Sequence, residues 1–334
     1  GSDFLRETRP EGKHYDFRVR SIGLAPYLQA DIRLFEQLTL GAALRLEYIH
    51  YDYDNRMLVG NTRDDGTPCG FGGCLYTRPE DRTDAYTNIA PKFSLSYRLN
   101  PAASLFAALA RGFRAPQVTE LYRLQSGQST ADLDSETIDS FELGIRWSSP
   151  RLSGDAALFA MQKRDSVLRD SDGFNISGGR SKHQGVELGL NWQWADSIRF
   201  EVNGSYARHV YDFDTVAARG ETFVSGNDVD TAPRFLGSAE ILFEPGTKAM
   251  LALQWMSIGD YYLDAENRFR YPGHELLNLR ARIDLTRSLS VTARLNNMMN
   301  ETYADRADYA FGQYRYVPGR PRELFIALEY LPGL

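Results

Sequence analysis

The chain has 334 residues, 43% of them hydrophobic and 12% aromatic, with a formal net charge of −6. That length allows one large domain or two ordinary ones, and the acidic balance gives no broad basic footprint for nucleic acid. No run of eighteen uninterrupted apolar residues occurs, which excludes a transmembrane helix. The mean hydropathy of −0.42 fits a soluble protein, or a transmembrane β-barrel whose polar lumen masks an oily exterior.

In chain order, alternation of period two predicts strands near 21–35, 37–51, 84–99, 103–112, 137–148, 152–164, 182–195, 197–211, 231–244, 248–259, 274–285, 289–298 and 321–331. Leu38, Leu40, Ala42, Leu44, Leu46 and Tyr48 share a face opposite Thr39, Arg45 and Glu47. Leu277, Leu279, Ala281, Ile283 and Leu285 do the same opposite Asn278, Arg280, Arg282 and Asp284, and Leu289, Val291, Ala293 and Leu295 oppose Ser290, Thr292, Arg294 and Asn296. Arginines at alternate positions suit a wet lumen and not lipid. A soluble sandwich also alternates, so the connections carry the distinction. Short turns such as "FEQ", "LNPAA", "WADS" and "LTRS" alternate with long polar segments near 52–83, 113–136, 165–181, 212–230, 260–273 and 299–320. Tight turns on one side and extended loops on the other are the outer-membrane barrel pattern, and Trp147, Trp192 and Trp194 fall at short-turn ends, where an interfacial girdle sits. Thirteen strands is an odd number, whereas bacterial single-chain barrels have even ones. The chain therefore reads as all-β, the C-terminal part of a larger barrel: residues 1–20 the remainder of an extracellular loop, and 21–334 the barrel wall.

The stretch "ARGFRAPQVTELY" followed by "DLDSETIDSFELGIRW" resembles the barrel of TonB-dependent outer-membrane receptors. "SKHQGVELGLNW", "LNNMMNETYADRA" and "YVPGRPRELFIALEY" are similar to further strands of that family in the same order, so the resemblance covers nearly the whole chain. It implies a barrel of about 22 strands with a plugged lumen, of which this chain supplies roughly the last thirteen, the N-terminal plug and the segment that engages the TonB complex lying outside it. It also implies residence in a Gram-negative outer membrane among lipid and lipopolysaccharide. The implied activity is TonB-driven uptake of a scarce extracellular ligand, foremost a ferric siderophore. Haem or another metal complex or nutrient, and passive porin-like conduction, stand as alternatives. No resident cofactor is implied.

Candidate ligand-binding residues lie in the outer segments. Tyr261, Tyr262, Arg268, Arg270, Tyr309, Tyr314, Arg315 and Tyr316 mix aromatic faces with cations, which suits a bulky, partly anionic chelate. Arg114 and Tyr122 join them as candidates, although Gly112 to Pro116 equally suits a structural exit from a strand with Arg114 held by a rim carboxylate. Lumen arginines Arg280, Arg282 and Arg294 are candidates for holding a plug by charge pairing. Cys69 and Cys74, separated by four residues, read as a small disulfide loop. The five histidines, His14, His50, His183, His209 and His274, all fall at long-loop ends of strands, and haem capture would use one or two of them. Residues 117–135 lack the histidine and Asn-Pro-Asn-Leu stretch expected of a haem receptor of this family. An enzyme is read against: "HELLN" lacks a second zincin histidine, no G-x-S-x-G occurs, and "CGFGGC" has the wrong spacing for a dinucleotide loop.

Overall fold

A computed structural model of the protein describes residues 13–70, 73–169, 174–217, 222–310 and 312–331. Its main sheet is antiparallel and follows chain order throughout. The segments Phe17–Leu24 and Tyr27–Arg33 pair in tandem with the same neighbour and make one wall strand, β1. Its break falls at Pro26, which lacks the N–H a ladder needs, while the Pro26 carbonyl still accepts from the Leu46 amide at 3.0 Å. Twelve more wall strands follow: β2 (Leu38–Asn55), β3 (Arg82–Asn100), β4 (Ala103–Arg114), β5 (Glu136–Ser148), β6 (Leu152–Arg169), β7 (Asn175–Ala195), β8 (Ile198–Tyr211), β9 (Phe235–Phe243), β10 (Ala249–Ile258), β11 (His274–Asp284), β12 (Leu289–Asn296) and β13 (Glu323–Tyr330). All thirteen predicted strands are present.

The boundaries depart from expectation mainly on the long-loop side. β1 begins at Phe17, inside the stretch 1–20 assigned to a loop, and residues 1–12 of that stretch lie outside the described residues. β6 and β7 run on to Arg169 and back from Asn175, so most of the segment 165–181 is strand and not loop. Backbone ladder hydrogen bonds continue a hairpin independently of side-chain polarity, so alternation alone places such ends too early.

Register explains which face meets which solvent. Hydrogen-bonded neighbours carry one apolar row from β1 to β9 through Ile32, Leu40, Leu95, Ala107, Leu143, Leu158, Val186, Tyr206 and Phe235. A second runs from β6 to β13 through Leu152, Trp192, Phe200, Ile241, Leu253, Leu279, Leu295 and Leu324. One residue along the same strands, hence on the opposite face, the row reads Ser148, Ser153, Asn191, Glu201, Glu240, Gln254 and Asn278. The apolar face is uncovered: Leu158 is 58% exposed and Ile326 69%. At about 25 cal/mol per Å² of apolar surface, rows this long are unfavourable in water and favourable in hydrocarbon.

At the short-turn side, Trp147 lies across Gly154 of β6. A Cβ at Gly154 would stand 2.6 Å from the indole and 2.3 Å from the Gly189 carbonyl. Trp192 stacks on Phe200 at 5.6 Å between ring centroids. Among the described residues, β1 pairs with β2 and β13 with β12 at the two ends of the sheet's strand order. Its buried clusters sit in the outer loops, not beneath the sheet.

Candidate functional site

Two packed assemblies stand above the outer ends of the wall strands. The first joins the loops 56–81 and 115–135 through a two-residue ladder, Tyr76–Thr77 with Leu124–Gln125. A short helix, Val118–Tyr122, starts where Glu120 reaches back to the Gln117 amide at 2.7 Å in a capping box. That turn lowers Leu121 and Tyr122 into a core with Tyr53, Leu124, Ala131 and Leu133. Tyr122 is fully buried, stacks on Tyr53 at 4.3 Å, and donates its hydroxyl to Asp84 at 2.7 Å. Burial first, and the Asp84 hydrogen bond second, push this phenol well above its ordinary value. Arg78, also buried, donates to the carbonyls of Leu58 and Thr62 at 2.6 and 2.8 Å, and Cys69 and Cys74 are disulfide-bonded in the same loop.

Arg114 sits beneath this assembly. It chelates Glu120 with two bonds of 3.0 Å and Glu136 with bonds of 3.0 and 2.8 Å, and Glu136 also receives Lys163 at 3.1 Å and the Val167 amide at 3.0 Å. The "FRAP…ELY" stretch therefore fastens the loop to the strand end. Of the two candidate ligand residues here, the Arg114 guanidinium is paired with two carboxylates, and the Tyr122 phenol is packed with no accessible surface.

The second assembly joins the loops 212–234, 259–273 and 297–322. Tyr261–Tyr262 pairs with Arg270–Tyr271, and Ala304–Ala310 forms a hairpin with Gln313–Pro318. Tyr261 and Tyr271 are buried supports, their hydroxyls accepting from the Ala307 and Ala304 amides at 3.2 and 3.1 Å. Asn267, with φ at 60°, ties the third loop in by exchanging hydrogen bonds with the Asp228 backbone at 2.8 and 2.9 Å. On this frame Phe269 stacks on Tyr309 at 3.6 Å, Tyr314 lies edge-on to both at 5.6 and 5.3 Å, and Tyr316 continues parallel to Tyr314 at 6.1 Å. Tyr314 and Tyr316 are about half exposed, at 49% and 53%. Arg268 caps the strip, 5.5 Å above the Phe269 ring.

The structure thus gathers Arg268, Tyr309, Tyr314 and Tyr316 into one aromatic strip and adds Phe269, which the sequence reading missed. Alternation in "RFRY" was the available signal. Tyr262 lies apart, beneath Arg270 at 5.6 Å. The arginines are neutralised locally: Arg268 by Asp264 and Glu266 at 3.0 and 2.9 Å, Arg270 by Asp260, and Arg315 by Asp308 at 2.5 Å. The strip offers π faces and phenol hydroxyls more than unpaired positive charge.

Further down, the polar face carries Arg280, Arg282 and Arg294. Arg280 reaches Glu240 at 3.4 Å, and Arg282 reaches Asp284 and Glu329 at 3.0 and 3.3 Å. Arg294, directly opposite Arg280 in register, makes no ion pair among the described residues. Of the histidines, His274 meets the Tyr271 hydroxyl at 2.9 Å, while His183 and His209 face each other across β7 and β8.

A one-sheet wall with an oily outer face, a polar inner face, tight turns at one end and packed aromatic loops at the other has the make-up of a transmembrane β-barrel. The family model for the TonB dependent receptor-like beta-barrel matches residues 2–298, and the chain belongs to that family. Among relatives, it is 22% identical over 226 residues to the pesticin receptor of Yersinia enterocolitica, covering 64% of this chain and 31% of that one. It is 20% identical over 205 residues to the probable TonB-dependent siderophore receptor PiuA of Acinetobacter baumannii, covering 59% and 28%. In fold it resembles the ferric yersiniabactin uptake receptor FyuA of Yersinia pestis, with a TM-score of 0.75 at 18% identity over 94% of this chain and 46% of that one. The chain therefore spans about a third of the length of the curated relatives and under half of the solved receptor.

Proposed function

We propose that this chain forms the C-terminal wall and outer mouth of a receptor that imports a ferric siderophore across a Gram-negative outer membrane with energy delivered by TonB. The observation that carries the ligand reading is the strip Phe269, Tyr309, Tyr314 and Tyr316, a rigid aromatic surface presented on the loop side of the wall. A chelate that wraps iron in organic ligand is bulky and partly apolar, so stacking on such a strip binds it without requiring a free cation for every charge. The one-sided pairing of β1 and β13 among the described residues is in keeping with a wall completed by further strands. Arg280, Arg282 and Arg294 would hold a plug through the polar face. Relatives named as receptors for siderophores and for pesticin add weight to uptake of an extracellular ligand.

The test is growth of a deletion strain on single ferric siderophores as sole iron source, restored by the full receptor or by a version carrying Tyr309→Ala and Tyr314→Ala. Restoration on at least one siderophore by the parent, and its loss in the double variant at equal surface abundance, is the expected result. Equal growth with and without the parent gene on every siderophore would overturn the proposal.

A further inference from the structure

On the polar face, one cross-strand row near the outer end of the wall reads Met161 on β6, His183 on β7 and His209 on β8. Odd-numbered residues of β7 share this face with Glu187 and Asn191, while Val186, Leu188 and Trp192 take the apolar face. Both imidazoles are therefore directed into the lumen, and both are partly exposed there. Their Nδ1 atoms stand 2.8 Å apart, and Nε2 of His183 lies 2.9 Å from the Ser181 hydroxyl. Two imidazole nitrogens at that separation must share a proton, since two lone pairs or two N–H groups would repel. If His183 donates from Nε2 to Ser181, its Nδ1 is the acceptor and the shared proton belongs to His209. Moving that proton to Nε2 of His209 frees a lone pair on each Nδ1.

We propose that His183 and His209 bind a transition-metal ion through these Nδ1 atoms, with Met161 as an adjacent thioether donor. On binding, the shared proton passes through solvent from Nδ1 to Nε2 of His209, so both rings ligate as neutral imidazoles, each turning its Nδ1 lone pair off the line between them toward the ion. Metal–imidazole bonds of about 2.0–2.1 Å meeting at roughly 90–109° put the two nitrogens about 2.8–3.4 Å apart. The pair already stands at the short end of that range. Ser181 acts as the hydrogen-bond partner that fixes the tautomer of a ligating histidine. Neither ring has a hydrogen-bonded carboxylate among the described residues; the nearby charges are Lys163, held by Glu136 at 3.1 Å, and Asp228, held by Arg234 at 2.6 Å. No group of three or more His, Cys, Asp or Glu forms a metal-binding cluster among the described residues, so the ion would keep open positions for water and exchange readily. Imidazole preference and the Irving–Williams order put Cu(II) ahead of Zn(II), and the thioether favours Cu(I) further. The site is independent of the siderophore reading, because it needs only access from the lumen.

The experiment uses the full receptor in detergent, titrated with Cu(II) sulfate and with Zn(II) sulfate at pH 7.5, with electron paramagnetic resonance of the copper form. Expected are one equivalent of Cu(II) with nitrogen superhyperfine structure, weaker binding of Zn(II), and at least a tenfold loss of Cu(II) affinity in His183→Ala and in His209→Phe. His50→Ala should leave binding unchanged, and heat-modifiable migration reports that each variant keeps its barrel. Met161→Leu should weaken Cu(I), measured against a chromophoric competitor under dithionite, more than Cu(II); equal effects would remove the thioether from the site. Binding that persists undiminished in the His183/His209 double variant, or no binding by the parent, would overturn the proposal, whether or not the receptor supports growth on a siderophore.

Discussion

Tyr122 gives the sharpest test of how the first loop assembly is held. Its ring is fully buried against Tyr53 and Leu124, and its hydroxyl reaches Asp84 on β3 at 2.7 Å. Tyr122→Ala removes a buried aromatic ring, a change worth about 3–5 kcal/mol. At about 1.4 kcal/mol per factor of ten, local opening of the loop 115–135 should become roughly two to three and a half orders of magnitude more frequent. Tyr122→Phe keeps the ring and loses one hydrogen bond to a charged acceptor, about 1.5–3 kcal/mol, so its effect should be roughly ten- to a hundredfold. Hydrogen exchange of the full receptor in detergent, followed by mass spectrometry of peptides from 115–135, reads both variants against peptides from β10 to β12. Protection should fall in the loop in that order and stay constant in the wall. A pH series adds a signed check. The phenol is raised by docking, so its contribution is complete below its free value of 10.0 and is lost as pH climbs beyond it. Alkaline loosening of the loop should thus be weaker in Tyr122→Phe. Unchanged protection in Tyr122→Ala would refute the claim that this side chain holds the loop.

The remaining expectations concern the mouth, the lumen and the wall. Tyr309→Ala breaks the 3.6 Å stack on Phe269, and a pair worth about 0.5–1.5 kcal/mol predicts a two- to tenfold weaker Kd for the transported chelate by fluorescence quenching. Charge reversal at Arg280 and Arg294 together should loosen a plug held against this face, read as increased sensitivity to large antibiotics; unchanged leakage would count against it. Gly154→Val places atoms where the Trp147 ring and Gly189 carbonyl already stand, so assembled receptor should fall on heat-modifiability gels, whereas Gly23→Ala, with open space at its Cβ, should assemble normally.

What the sequence made legible follows from the physics of a two-faced wall. Each wall residue touches one of two solvents, so Leu277 to Leu285 announce their face by alternation, and the register confirms it strand by strand. The hairpin Ala304–Ala310 with Gln313–Pro318 stands apart from the main sheet, and its second strand, "QYRYVP", is exposed throughout. With no apolar solvent to sort its side chains, it read as loop. The same limit hid the strip: Tyr309, Tyr314 and Tyr316 were named from composition, but their meeting with Phe269 depends on a hairpin and a neighbouring loop folding onto each other.

Arg114 shows the opposite case, in which local chemistry was legible and its purpose was divided between two readings. A Gly-Phe-Arg-Ala-Pro step could present an arginine to a ligand or anchor a loop, and sequence spacing does not tell whether two carboxylates converge on the guanidinium. Glu120 arrives through the short helix and Glu136 through the next strand, so the network closes only in three dimensions. A test follows from its fork geometry. Arg114→Lys keeps the charge but cannot chelate two carboxylates at once, so it should free the loop 115–135 to exchange nearly as fast as Arg114→Gln while leaving ligand affinity at the second assembly within twofold. If Arg114→Lys instead kept the loop protected and abolished binding, Arg114 would be a ligand contact after all, and the division of labour between the two loop assemblies would fall with it.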